Sequence, residues 1–184
     1  MNEEKRKQRN AERLTELYPS FRAKIKAVIE DLESQGLRPR IQDAYRSPAD
    51  QLKVFNTGNS KLKYGFHNVT GANGEKESLA VDMLDDDHPA QEGSEYLLRL
   101  AAAAKKQGLM TGIRWGLPQK FRDAIDTAIA NQNWKAQVIT AKTGKYGKNS
   151  SFDLTISQMM SAKLVFLVFY IANDKILYYI TMGN

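Results

Sequence analysis

Tyr64-Gly65-Phe66-His67, a loop containing Asn73-Gly74, and then Ser78-Leu79-Ala80-Val81-Asp82-Met83 form the stretch that decides how this chain reads. It sets one of only two histidines ahead of a short apolar strand that carries a carboxylate. A neutral imidazole and an ionised carboxylate are good zinc ligands, and a strand between turns holds an Asp rigidly. The apolar setting adds weight, because burying a carboxylate is expensive unless it is paired or bound to a metal. On the residues alone two readings stand: a metal pair, or a loop histidine beside an Asp that caps a turn.

Upstream, Arg40-Ile41-Gln42-Asp43-Ala44-Tyr45-Arg46-Ser47-Pro48-Ala49-Asp50-Gln51-Leu52 reads as a strand ending in an Arg and then a helix start. Ser47 is a natural N-cap, and Pro48 at the first helical position lacks an N–H that would be unpaired there anyway. Arg46 thus sits beside a helix N-terminus, whose free N–H groups and positive dipole suit a carboxylate ligand. A salt bridge to a nearby acid is the equal alternative for it.

Taken in order, "YRSPxxQ", "KYGFHN" and "SLAVDM" resemble the zinc D-alanyl-D-alanine carboxypeptidase and L-alanyl-D-glutamate endopeptidase family, in its phage-endolysin-like branch. The resemblance covers about Leu14 to Val138. It implies that His67 and Asp82 are the first two zinc ligands and that Arg46 contacts a substrate carboxylate or the reaction intermediate. It also implies a third histidine ligand in a late strand, with a catalytic Glu or Asp beside it as "HxE". Here the chain departs from the family, because no histidine follows His88. The catalytic residue is therefore unassigned, and the candidates for the third ligand are His88, one of Asp85 to Asp87, and Asp153. Of these, His88 reads as an exposed loop residue and the acidic run as a solvated loop. Trp115 and Trp134 read as core or groove-wall residues.

Composition bounds the answer. A chain of 184 residues, 42% hydrophobic and 26% charged, has the length and make-up of one soluble domain. With no cysteine, any metal must rest on His and carboxylate. The net charge of +6 is dispersed, and its one dense cluster, Lys5-Arg6-Lys7-Arg9, is interleaved with Glu and reads as a solvated face rather than a nucleic-acid site. It equally favours approach to an anionic cell wall. The first residues lack the apolar core of a signal peptide, and the run from Leu164 to Ala172 is far short of the roughly 20 residues that span a bilayer. A monomer made in the cytoplasm, with no stable membrane insertion, is expected; it would act on the cell wall if released.

Leu14, Leu17, Tyr18, Phe21, Ile25, Val28, Ile29 and Leu32 recur at helical spacing, broken at Pro19-Ser20 and stopped by Gly36. Strands are expected over Arg38 to Ala44, Leu79 to Leu84 and Leu109 to Trp115. Helices are expected from Pro48 to Asn56, from Ser94 to Lys106 and after Pro118. Beyond Val138 the character changes: a Gly/Lys/Ser/Asn-rich stretch from Thr143 to Ser151 precedes apolar runs at Leu164–Ile171 and Ile176–Thr181. The expected organisation is a peptidase-like domain over 1–138 and a divergent segment over 139–184 that forms a β-hairpin. The fold class is α+β, a small, mainly antiparallel sheet with flanking helices. The resemblance implies a zinc-dependent peptidase hydrolysing an amide of the peptidoglycan stem peptide; the departure from it, a missing third ligand and base, implies impaired turnover. The alternative is an inactive relative that binds cell-wall peptide.

Overall fold

The structure, a computed structural model, describes residues 1–89, 93–115, 117–135 and the strand 166–170. Among them, five α-helices and one four-stranded sheet make an α+β fold. The helices are α1 (Glu3–Leu14), α2 (Pro19–Ser34), α3 (Pro48–Asn56), α4 (Ser94–Lys106) and α5 (Gln119–Ala130). The strands are β1 (Pro39–Asp43), β2 (Ala80–Asp85), β3 (Leu109–Thr111) and β4 (Phe166–Tyr170), in the order β1-β2-β4-β3 with every pairing antiparallel. No helix among the described residues is long and apolar enough to cross a membrane.

The apolar stripe of α2 does what its spacing requires. Phe21, Ile25, Val28, Ile29 and Leu32 are all buried, and the helix packs against α4, whose Leu97, Leu98, Leu100, Ala101 and Ala104 join the same core. Val81 and Met83 of β2 enter this core from the sheet. Since side chains alternate along a strand, Asp82 between them faces the other way. That alternation positions the site.

α1 docks differently. Its first turn is capped by Asn2, whose side chain accepts from the Lys5 N–H at 2.9 Å, and Glu3 and Glu4 suit the helix dipole. The helix is strongly polar, and arginines rather than apolar side chains fix it to β1. Arg6, only 1% exposed, donates at 2.6 Å to the Pro39 carbonyl, to Glu3 and to Glu33. Arg9 donates to the carbonyls of Ile41 and Gln42. The basic cluster is therefore partly structural, a correction to its reading as a solvated face: two of its cations donate to backbone oxygens of β1.

The acidic run after β2 is corrected in the same way. Asp85 and Asp86 are buried. Asp86 pairs with Arg38 at 3.1 Å, Arg40 at 2.8 Å and the Met1 amino group at 3.3 Å. Three cations around one carboxylate explain its burial. The third expected strand is shorter than its sequence suggests, because Gly112–Arg114 turn into a 3-10 helix and leave Trp115 half exposed. The strand at 166–170 lies between β2 and β3, while the expected second strand of the hairpin, Ile176 to Thr181, and the stretch Thr143 to Ser151 lie outside the described residues.

Candidate metal centre

Three segments meet at the end of β1. The first is the strand end itself. Ile41 pairs with Met83 and Asp43 with Asp82, so two steps along β1 match one along β2 and Gln42 forms a bulge. Without the bulge, Asp43 would share the core-facing side of Ile41. The extra residue moves it to the face of Asp82, and the two acids stand directly opposite each other.

The second segment is the 3-10 turn Phe66–Asn68, which carries His67. Its backbone is tied on two sides: Arg46 N–H donates to His67 O at 2.9 Å, and Leu79 N–H donates to Phe66 O at 2.9 Å. Asn68 is buried and closes the arrangement, donating to Arg46 O at 2.7 Å and accepting from Gly65 N at 2.7 Å. The polar loop that follows turns at Asn73-Gly74, where Gly74 takes φ +86°, a conformation that disfavours a side chain.

The imidazole is held by its Nδ1, which lies 2.6 Å from the Ala44 carbonyl. A carbonyl only accepts, so Nδ1 carries the proton and the neutral ring has its lone pair on Nε2. Nε2 faces Asp82 Oδ2 at 3.5 Å, and both side chains are more than nine-tenths buried. Burial, the largest influence on this imidazole, disfavours its cation; the hydrogen bond and charge of Asp82, with the Ala44 carbonyl, outweigh it and raise the His67 pKa above its ordinary value. Nε2 is thus basic and turned to a carboxylate, which suits it equally to a proton and to a metal ion.

The third segment is the start of α3. Ser47 caps it, accepting from the Asp50 N–H at 3.1 Å, as its sequence position implies. Arg46, just before it, is drawn into the acids: Nη2 is 2.6 Å from Asp43 Oδ2 and 3.0 Å from Asp82 Oδ2, and Nε is 2.8 Å from Asp43 Oδ2. Its remaining Nη1 donates to Gln51 Oε1 at 2.9 Å. One guanidinium therefore serves two carboxylates that would otherwise repel across the strand pair.

Asp43, His67 and Asp82 each offer one ligand atom, and these atoms all lie within 4.8 Å of one another. The donor set, an imidazole nitrogen and two carboxylate oxygens with a fixed tautomer behind the nitrogen, fits a divalent cation. His67, Asp82 and Arg46, singled out from the sequence, are brought together. His88 is not part of the group: its ring is exposed, and its Nδ1 is 3.0 Å from Asp85 Oδ2. Asp85 and Asp86 are taken up by their own pairings, and Asp153 lies outside the described residues. Asp43 is the residue that sequence reasoning passed over. Its one signal was a carboxylate three residues before Arg46 at a strand end.

No family profile and no curated protein matches this chain. A solved structure of the Serratia marcescens L-Ala D-Glu endopeptidase ChiX is similar to it with a TM-score of 0.43 and 20% identity, over 59% of this chain and 78% of that one. At that level the likeness bears on neither the site nor the reaction.

Proposed function

We propose that this protein is a zinc-dependent peptidase of the endolysin type, hydrolysing an amide in the stem peptide of peptidoglycan. The observation that supports it most directly is the 3.5 Å approach of His67 Nε2 to Asp82 Oδ2, with the ring's other nitrogen committed to Ala44. These are the two residues that the sequence resemblance marks as metal ligands. A zinc ion held by His67 and Asp82 would supply a water nucleophile near neutral pH and polarise the scissile carbonyl. The chain's own part is to hold that ion, to keep the imidazole in the right tautomer, and to present Arg46 to a peptide carboxylate. A charge-assisted hydrogen bond of that kind contributes roughly 1.5–3 kcal/mol.

A second reading has its own support. Amide hydrolysis needs a carboxylate to move the proton from water to the leaving amine. Among the described residues the group at the site has three members, Asp43, His67 and Asp82, so an ion held by all three leaves none of them to act as that base. A protein with ligands but no base would bind stem peptide without turning it over. The deciding experiment incubates the metal-loaded protein with a defined muropeptide and follows both binding and the mass of the products. Slow cleavage, abolished by EDTA and by His67→Ala, supports the peptidase. Binding without cleavage supports the inactive relative. Neither binding nor cleavage removes both.

A further inference from the structure

We propose that Asp43 is the third ligand of this site, and that the Arg46 guanidinium is the resident cation that a divalent ion displaces from Asp43 and Asp82. The inference rests on the metal reading above, but it concerns which side chains complete the site and what competes for them.

The geometry carries it. The β1 bulge turns Asp43 off the core face and sets it opposite Asp82, a placement that plain strand alternation would not give. Two carboxylates side by side require a cation, and Arg46 provides it through three contacts of 2.6, 2.8 and 3.0 Å. The oxygen of Asp82 that Arg46 holds, Oδ2, is also the one that faces His67 Nε2. Guanidinium and imidazole thus converge on one atom. A divalent ion bonded to that oxygen and to Nε2 would take the lone pairs and the negative charge that hold Arg46 in place.

Charge agrees with an exchange. Two carboxylates and a neutral imidazole carry two negative charges, and Arg46 neutralises one. A divalent ion neutralises both, which leaves no net negative charge to hold the guanidinium there. The guanidinium has somewhere to stay, because Nη1 already donates to Gln51 Oε1, and Gln51 is itself fixed by Ser60 Oγ at 3.0 Å and the Leu62 carbonyl at 2.7 Å. Metal entry would therefore free the Arg46 face that now holds the acids, and leave the side chain anchored to Gln51 of α3. The donor set also sets a preference. With two carboxylates to one imidazole, the site should distinguish zinc from manganese less sharply than a site richer in imidazole.

Calorimetric titration of the full chain with zinc chloride and with manganese chloride tests this, using wild type, His67→Ala, Asp43→Asn, Arg46→Gln and the double variant Arg46→Gln/Asp43→Asn. Circular dichroism confirms folding of each. Asp43→Asn should weaken binding of both ions by at least roughly tenfold. Arg46→Gln should tighten it by about tenfold, as when the binding-competent form is about a tenth of the population. The double variant carries no unpaired guanidinium, so it isolates Asp43 even where Asp43→Asn alone is poorly folded. Asp43 is not a ligand if its replacement leaves affinity unchanged in both backgrounds, while His67→Ala still abolishes binding. Arg46 is not a competitor if Arg46→Gln binds no more tightly than wild type. Wild type binding neither ion overturns the metal reading and this inference together.

Discussion

The backbone of Arg46 and that of His67 are joined directly: the Arg46 N–H donates to the His67 carbonyl at 2.9 Å. Asn68 returns the link through its side chain to the Arg46 carbonyl at 2.7 Å, so the histidine turn and the arginine turn are one unit. The Asn68 side chain bonds to the backbone of Gly65 and Arg46 rather than to a ligand side chain, yet it sets where His67 stands. Asn68→Ala should therefore weaken zinc binding by roughly 10–100-fold, the range for residues that orient a ligand. It should also destabilise the fold by about 1–3 kcal/mol through the unpaired Gly65 N–H and Arg46 carbonyl. Calorimetric titration and chemical denaturation on the same sample separate the two effects. Unchanged zinc affinity with lowered stability would mean that the latch supports the loop but not the ligand.

Arg6 supplies a second prediction. Its guanidinium is almost fully buried at the α1–β1 contact and serves Pro39 O, Glu3 and Glu33. Arg6→Ala takes the cation from Glu33 and Glu3, leaves the Pro39 carbonyl to Asn10 Nδ2 alone and opens a void, and should cost on the order of 3 kcal/mol. For a chain of this size that corresponds to roughly 6–12 °C in the melting midpoint. A shift under about 2 °C would show that α1 docks by other means, since surface substitutions usually change stability by no more than about 0.5 kcal/mol.

The core of this chain is more legible in its sequence than the site is. The apolar stripe of α2, the cap at Ser47 and the alternation around Asp82 are local patterns, and local patterns are legible without a partner. The bulge at Gln42 is not, because a register shift exists only once β1 has paired with β2. That is why nothing in the sequence marks Asp43, two residues from Ile41, as a partner of Asp82. Arg6 and Asp86 failed for a related reason: a charged side chain reads as solvated until its partners, thirty or more residues away in the case of Pro39 and Arg40, are brought to it.

The acid limb of the stability curve should report on Glu3. The hydrogen bond from Arg6, opposed by burial and aided by Arg38, lowers its pKa from the ordinary 4.5 to about 2. A depressed carboxylate contributes stability above its unfolded pKa and loses it as pH falls toward the folded one. Wild type should therefore lose this contribution between about pH 4.5 and pH 2, the two pKa values just given. Glu3→Gln should be less stable than wild type at pH 7, with the two curves converging as pH falls toward 2. Because the Glu3 side chain is half exposed, solvent screens the pairing and the difference should be small. Curves that stay parallel through that window would mean the pairing with Arg6 is absent in solution.

The last prediction concerns the strand drawn from the segment that departs from the resemblance. β4 is not an appendage at a sheet edge. Val168 pairs with Val81 of β2 on one side and with Thr111 of β3 on the other, so the strand joins two halves of the sheet. Proline has no N–H to give to either neighbour, and it is found in sheets almost only on edge strands or at bulges. Val168→Pro should therefore destabilise the whole domain by at least roughly 3 kcal/mol, among the larger effects that a single substitution produces. It should lower zinc affinity as well, because Leu167 pairs with Asp82 and the break falls one residue from that pairing. Denaturant unfolding followed by far-UV circular dichroism measures the first effect and calorimetric titration the second. If Val168→Pro unfolds at the wild-type midpoint and binds zinc normally, β4 does not sit between β2 and β3 in solution. The site would then rest on β1, the His67 turn and β2 alone.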